Sequence, residues 1–483
     1  MKNLRTKLYL ALLLAALLPA TSCAINPATG KRQLSLIGES QEVAMGLEAD
    51  GAIVAQMGLY GGDELQDYVQ NIGSRMAAVS ERPQLDWTFR VVDDGTVNAF
   101  ALPGGYIYIT RGIMTHLNSE AELATVVGHE IGHVTARHSV NQMSKAQLAQ
   151  MGLGVGMALS PELAQFGQYA EMGLGLMFLK FGRDDERQSD DLGLRYMTKA
   201  GYDPRPAPKV FDMLEAVSRS SGGDRLPALF STHPAPENRE AHLQAQVNGM
   251  TRDFSQAKIG TQEYLAHLDG MVYGVDPREG YFKEQAFYHP ELAFQFAFPP
   301  GWKTANGREA VLASTEANDA IVRLTMSSKS TPQAGLDEFL GQEGVQAGAS
   351  WRSNVNRYSV ASRSFTAPTQ QGNVRGIVVY LEHGDNIFQL MGYTFETKWS
   401  EHGSTIEAAL ASFDRLTDRA ALSVEPAKIK IIDVRESMTL EQFAQRYDAS
   451  VPTKTLALLN QIEVTDRLEA GQSYKTVQGG RLP

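Results

Sequence analysis

His129, Glu130 and His133 fall within five consecutive residues, in the order His-Glu-Ile-Gly-His. On a helix, residues four apart share a face, so both imidazoles can bind one Zn²⁺ from the same side. Glu130 lies about 100° around from His129 and about 60° from His133, within reach of a water beside the ion without having to ligate it. Zinc lowers the pKa of such a water to roughly 7, and Glu130 can take its proton as the oxygen attacks a peptide carbonyl. The chemistry such a set could do is metal-assisted peptide hydrolysis, with one zinc expected per chain.

A metzincin would continue with Gly at position 136 and His at 139. The sequence has Ala136 and Ser139, which excludes that class. His138 stands about 140° from His133 on a continuing helix and is expected to face elsewhere. The third ligand is therefore expected from a carboxylate on a second helix. Glu186 and Asp190 are four apart, and Gly193 and Met197 extend their stripe. Glu186 suits the ligand, while Asp190 suits holding a ligand histidine by its other ring nitrogen. Gly193 would let the two helices approach closely. Asp184, Asp185 and Asp191 compete for the ligand role, Asp191 lying about 140° off the Glu186 position.

These residues need helices to hold them. Ser119 can cap the first, with Glu122 three residues on as in a capping box, and the helix is expected to run to about His138. The second is expected from near Asp184 to Lys199, with Gly201 at its end. Upstream, helical patterning starts near Glu39 and again over 63–80, and strands are expected over 87–92 and 106–110. Residues 150–182, rich in Gly, Met and Leu, read as a packed helical pair, with a mobile lid or membrane-touching loop as the alternative. From about Phe282 the pattern changes: 292–298, 374–381 and 386–393 read as strands and 406–416 as a helix, a separate α+β region. From Lys428 the chain reads as strand, two helical stretches and strand.

The chain has 483 residues, 43% hydrophobic and 20% charged, enough for about three domains with large cores. Its net charge of −11 argues against nucleic acid as a partner. Lys2, Arg5 and Lys7 precede an apolar run from Leu8 to Ala20, shorter than a bilayer span and suited to a secretory signal. The single cysteine, Cys23, follows directly after Ala20-Thr21-Ser22. This stretch resembles a bacterial lipobox, which implies a signal peptide over 1–22, lipidation of Cys23 and a lipid anchor on the periplasmic side of the outer membrane.

The run from His129 to His138, with Glu186-Arg-Gln-Ser-Asp190, resembles the zinc peptidase family of HtpX and CAAX prenyl protease, in particular its periplasmic branch typified by BepA and LoiP. Asn98-Ala99-Phe100-Ala101-Leu102-Pro103-Gly104-Gly105 matches the segment before the zinc helix. Ser231-Thr232-His233-Pro234 matches a later motif, followed by Arg239. The resemblance implies zinc ligands His129, His133 and Glu186, Glu130 as general base, and His233 as donor to the developing oxyanion. His233 could instead fill the open metal position at rest. The segment Asn98, Ala99, Phe100, Gly104 and Gly105 is implied to lead into an edge strand that binds extended substrate.

Phe296-Ala-Phe-Pro-Pro-Gly-Trp302 resembles the opening of PsbP- and Mog1-like α/β/α sandwiches. Val434, Thr439-Leu440, Phe443-Ala444, Tyr447, Leu458-Leu459-Asn460 and Gly471-Gln472 resemble a LysM βααβ module, with Ser437-Met438 where Gly-Asp is common. The expected organisation is α+β and multidomain: a zinc protease domain over 30–255, mainly helical with a small sheet; a linker over 256–281; a PsbP/Mog1-like domain over 282–420; and a LysM-like domain over 428–480. The implied function is an endopeptidase in envelope protein quality control. Its partners would be unfolded or misassembled envelope proteins, the membrane through the lipid, and peptidoglycan through the LysM-like part. A lipid-anchored scaffold or chaperone is the alternative; the intact Glu130 favours the enzyme.

Overall fold

In a computed structural model, the described residues are 23–152, 179–220, 233, 238–308, 310–369 and 371–482. The expected signal segment over 1–22, most of the 150–182 stretch, and Ser231, Thr232 and Pro234 lie outside them. The chain is α+β, with several sheets and many helices in two compact units. One unit comprises Met1–Val275 with Lys428–Gln478, the other Asp276–Ala427 with Gly479–Pro483.

The first unit opens with the paired strands β1 (Cys23–Ile25) and β2 (Arg32–Leu34). Helices α1 (Glu39–Met57) and α2 (Asp63–Ala77) follow. In α2, Leu65, Val69, Ile72 and Met76 are buried at intervals of three or four, one stripe of a helix. A three-stranded sheet has the order β3 (Thr88–Val92), β5 (Tyr106–Thr110), β4 (Ala99–Leu102). The central β5, Tyr-Ile-Tyr-Ile-Thr, is buried throughout, parallel to β3 and antiparallel to β4. The turn from β4 uses Gly104 and Gly105 at φ of 85° and 105°, which glycine adopts without strain.

The short α3 (Arg111–His116) leads into α4 (Glu120–Thr135), in which every residue is buried. Ser119 Oγ caps α4 by accepting the Glu122 N–H at 3.2 Å. The reciprocal Glu122 bond goes to the Asn118 N–H, at 2.7 Å, instead of closing the expected box on Ser119. α4 also stops earlier than its pattern suggests. Arg137 takes the left-handed conformation (φ 58°), and a new helix, α5, begins at His138 and runs to Gly152. Buried ion pairs hold that break: Glu42 Oε2 accepts from Arg137 Nε at 2.8 Å, and Glu42 Oε1 accepts from Arg82 at 2.7 Å.

α6 (Arg183–Lys199) crosses α4 at very short range. A Cβ on Gly193 would lie 2.8 Å from the Gly128 backbone, and one on Gly132 would lie 3.0 Å from Ser189 Cα. Only glycines allow backbones to come this close. α7 (Ala207–Ser220), α8 (Arg239–Gly249) and α9 (Thr261–Leu268) complete this part, and α9 falls in the stretch expected as linker.

In 428–478, strands Lys428–Asp433 and Ser473–Gln478 pair antiparallel, and helices Leu440–Arg446 and Thr453–Asn460 lie between them. Phe443, Leu456 and Leu468 are among the apolar residues filling its core. Lys475 is fully buried against the end of α3, its Nζ donating to the carbonyls of Thr115 (2.7 Å) and Leu117 (2.9 Å). Gln461 donates to Glu122 Oε2 at 2.8 Å.

In the second unit, an antiparallel sheet runs Gln346–Ala347, Tyr358–Thr369, Gly372–His383, Asn386–Phe395, Ala320–Ser327, Ala310–Ser314, Lys303–Asn306. Ile377, Val379 and Leu381 pack with Ile406 and Leu410 on one face. Val378 and Tyr380 pack with Leu336 and Phe339 on the other. The helix expected over 406–416 is instead Trp399–Leu410. The chain then extends so that Asp414–Arg415 pairs with Phe294–Ala297 and Phe413, fully buried, stacks on Phe294 at 5.2 Å. Filling the core with Phe413 outweighs continuing the helix.

Candidate metal centre

Burial on all sides makes α4 a rigid mount. It presents His129, Glu130 and His133, at 7%, 1% and 1% exposure. The glycine contacts bring α6 near enough for Glu186 to reach both imidazoles: its carboxylate oxygens lie 3.4 Å from His129 Nε2 and 3.5 Å from His133 Nε2. The two Nε2 atoms are 3.0 Å apart. His233 enters from a distant part of the chain, with Nδ1 3.0 Å from Glu186 Oε1 and 3.4 Å from His129 Nε2. One donor atom from each of His129, His133, Glu186 and His233 lies within 4.8 Å of all the others.

Polar neighbours orient this group. Asp190 Oδ1 is 2.9 Å from His129 Nδ1. Arg239, on α8, holds Asp190 with two bonds, Nε to Oδ2 at 2.8 Å and Nη2 to Oδ1 at 2.6 Å, and lies over the Phe211 ring. Glu130 projects beside the cluster, Oε1 3.9 Å from His233 Nε2.

The electrostatics follow from burial and close charges. Burial disfavours protonated His129, but Asp190 and Glu186 outweigh it and push the imidazole up to about 9. Burial, with His129 adding to it, holds His133 well below the ordinary imidazole value. For Glu186 burial acts upward, yet His233 and His129 hold the carboxyl well below the usual range. Glu130 goes the other way: burial pushes it up against the pull of His233 and His129.

The residues fit a metal ion. Glu130 Oε2 is buried without a hydrogen bond, an expensive arrangement unless something else engages it; Glu186 Oε2 also lacks a hydrogen bond, though Arg239 Nη1 lies 3.3 Å from it. Nitrogen donors with one carboxylate are the set zinc takes at catalytic centres.

A profile of peptidase family M48 matches residues 63–247. Those residues form a peptidase family M48 domain. The family implies a metal cofactor, and the buried His/Glu group lies within the matched region. Mitochondrial metalloendopeptidase OMA1 of Arabidopsis thaliana is 36% identical over 196 residues, 39% of this chain and 38% of its own. The beta-barrel assembly-enhancing protease of Escherichia coli (strain K12) is 27% identical over 277 residues, 54% of this chain and 56% of its own. The chain thus spans 38% and 56% of the length of these two relatives. Cyanobacterial PsbP from Synechocystis sp. PCC 6803 aligns with 27% of this chain and 91% of its own at 14% identity, with a TM-score of 0.23, too low to assign a fold.

Within the M48 domain, β4 pairs with β5 and with no other strand among the described residues. Ala99 and Phe100 on it are buried, Phe100 stacks on Tyr108 at 4.8 Å, and Asn98 Oδ1 is buried without a hydrogen bond. Asp184 and Asp191 stand outside the donor group, and Asp191 bonds His242 instead. Cys23 begins β1, with Leu34 as its pairing partner. Among the described residues no helix is long and apolar enough to cross a membrane.

His138 is a correction. It does not face away: it is 1% exposed, with Nδ1 3.0 Å from His133 Nδ1. The helical wheel misplaces it because the helix breaks at Arg137. Sequence reasoning also missed what Arg239 does, since its partner Asp190 is 49 residues away.

Proposed function

We propose that this chain is a zinc-dependent endopeptidase of the bacterial cell envelope. The observation carrying the proposal is the convergence of four buried donors, from His129, His133, Glu186 and His233, beside the unpaired carboxylate oxygen of Glu130. His129, His133 and Glu186 would hold the ion, and Asp190 fixes the His129 ring. Zinc, when bound, supplies Lewis acidity and lowers the pKa of a neighbouring water to roughly 7. Glu130, its basicity raised by burial, takes the proton of the attacking water and passes it to the leaving amine. His233 would donate to the carbonyl oxygen as charge develops there, or would instead fill the open metal position at rest.

Asn98 to Gly105 would bind extended substrate along β4, whose outer edge has no strand partner among the described residues. The strand is buried, so substrate can add only once that edge is uncovered. The relatives' names, both proteases, favour protein substrates; these would be unfolded or misassembled envelope proteins. Cys23 would carry the lipid that anchors the chain to the periplasmic side of the outer membrane. Residues 282–420 and 428–480 would act as PsbP/Mog1-like and LysM-like modules, the latter a candidate for binding peptidoglycan.

The test is casein cleavage by wild type and Glu130→Gln, with zinc content measured on both. Both should hold one zinc per chain, and the variant should lose about 10²–10⁴-fold in rate. Equal cleavage would overturn the assignment of Glu130. No cleavage by either would favour the lipid-anchored scaffold or chaperone.

A further inference from the structure

His129 and His133 are supported by different chemistry. Behind His129 stands a carboxylate, Asp190, which can only accept a hydrogen bond. Behind His133 stands another imidazole, and a neutral imidazole can donate or accept depending on where its proton sits. Which way this second contact runs decides whether His133 can bind a metal. If His138 Nδ1 carried a proton, His133 Nδ1 would have to accept it. The proton of His133 would then sit on Nε2, on the nitrogen that faces Glu186 and His129.

The surroundings of His138 fix its proton elsewhere. Its Nε2 is 2.9 Å from Gln188 Oε1 and 3.7 Å from Asp185 Oδ1. Asp185 Oδ1, beyond hydrogen-bond length, still places negative charge beside that nitrogen and favours an N–H there, so Gln188 turns its amide oxygen to accept. Both residues are on α6, the helix that also brings Glu186. With the proton on Nε2, His138 Nδ1 has a free lone pair at 3.0 Å from His133 Nδ1. Ser189 Oγ, 3.4 Å from the same nitrogen, can donate there too and does not alter the sign.

We infer that His138 is a positioning residue for the metal centre: Gln188, with the charge of Asp185 nearby, holds its proton on Nε2, and its Nδ1 accepts the Nδ1–H of His133, leaving His133 Nε2 unprotonated toward the metal. The inference rests on the zinc reading above. The chain of bonds runs from α6 through His138 to His133. One helix therefore supplies a ligand, Glu186, the support of His129, and the tautomer control of His133. The break at Arg137 has a purpose on this view, because an uninterrupted α4 would carry His138 away from His133.

The test is zinc affinity of the full chain, measured by competition with a chelating dye, for wild type, His138→Phe, His138→Asn and His138→Gln. Phenylalanine keeps the ring shape and removes both nitrogens. The asparagine amide oxygen can stand where Nδ1 was, whereas the glutamine amide reaches the Nε2 position. Loss of a ligand's supporting partner typically weakens metal binding about 10–100-fold, which is the expectation for His138→Phe and His138→Gln. His138→Asn should stay within a few-fold of wild type. A purely structural role predicts the opposite order, with Phe tolerated and Asn not. Tight zinc binding by His138→Phe, or equal losses in Asn and Gln, overturns the inference while leaving the zinc reading intact. A wild type that binds no zinc overturns both. If His138→Phe does not fold, the Asn and Gln pair decides the question alone.

Discussion

The surroundings of α4 in the first compact unit and the core of the second bury opposite kinds of side chain. In the second, Phe287, Phe294, Phe296, Phe298, Phe388 and Phe413 are each at most 2% exposed and pack as a cluster of rings. Each such burial contributes about 1.5–3 kcal/mol, so this core is built for cohesion. Around α4, side chains just as deeply buried are His133, Glu130, Glu186 and Asp190. Removing an ion from water costs several kcal/mol, which pairing only partly offsets. A fold selected for stability alone would place Leu at these positions. The contrast locates the chemistry: the first unit buries charged and imidazole side chains in order to present donors at one point, whereas the second buries no charged side chain among the described residues.

The largest break in this contrast comes from the polar side. Glu186→Ala should reduce zinc from one per chain to near none and abolish cleavage, as read by elemental analysis and casein assay; retained stoichiometric zinc would mean the ion sits elsewhere. Phe294→Ala should cost about 3–5 kcal/mol of unfolding free energy in denaturant titration and leave zinc content unchanged. Zinc lost along with that core would erase the distinction between the units.

A smaller effect tests polar burial away from the metal. Burial lowers Lys475 to about 7, against partial opposition from Glu122. The unfolded lysine keeps its ordinary, higher value, so between pH 7 and that value the unfolded chain binds more protons and stability rises with pH. In Lys475→Met this rise should shrink by about 1–2 kcal/mol across the window. Parallel stability curves for the two proteins would show that burial of this amine has no cost.

What the amino-acid sequence reveals follows from what is local. Spacing of four along a helix carries the juxtaposition of His129 with His133 and of Glu186 with Asp190, and Gly193 signals the close crossing of their helices. What was hidden depends on distant partners. Nothing near Arg137 announces a left-handed residue; Glu42, 95 positions earlier, holds it there, and that break turns His138 inward. Arg239 reaches Asp190 through tertiary packing alone. The end of the Trp399–Leu410 helix is likewise set by Phe413 meeting Phe294 across the core, a contact no local pattern encodes.

The decisive measurement is anomalous diffraction from crystals of the full chain, collected on either side of the zinc absorption edge. One strong peak should lie among His129 Nε2, His133 Nε2 and the Glu186 carboxylate, with Glu130 beside it and not bound to it. A peak at any other cluster, or a Glu186 carboxylate turned away from the ion with no other acid in its place, would contradict the proposed centre.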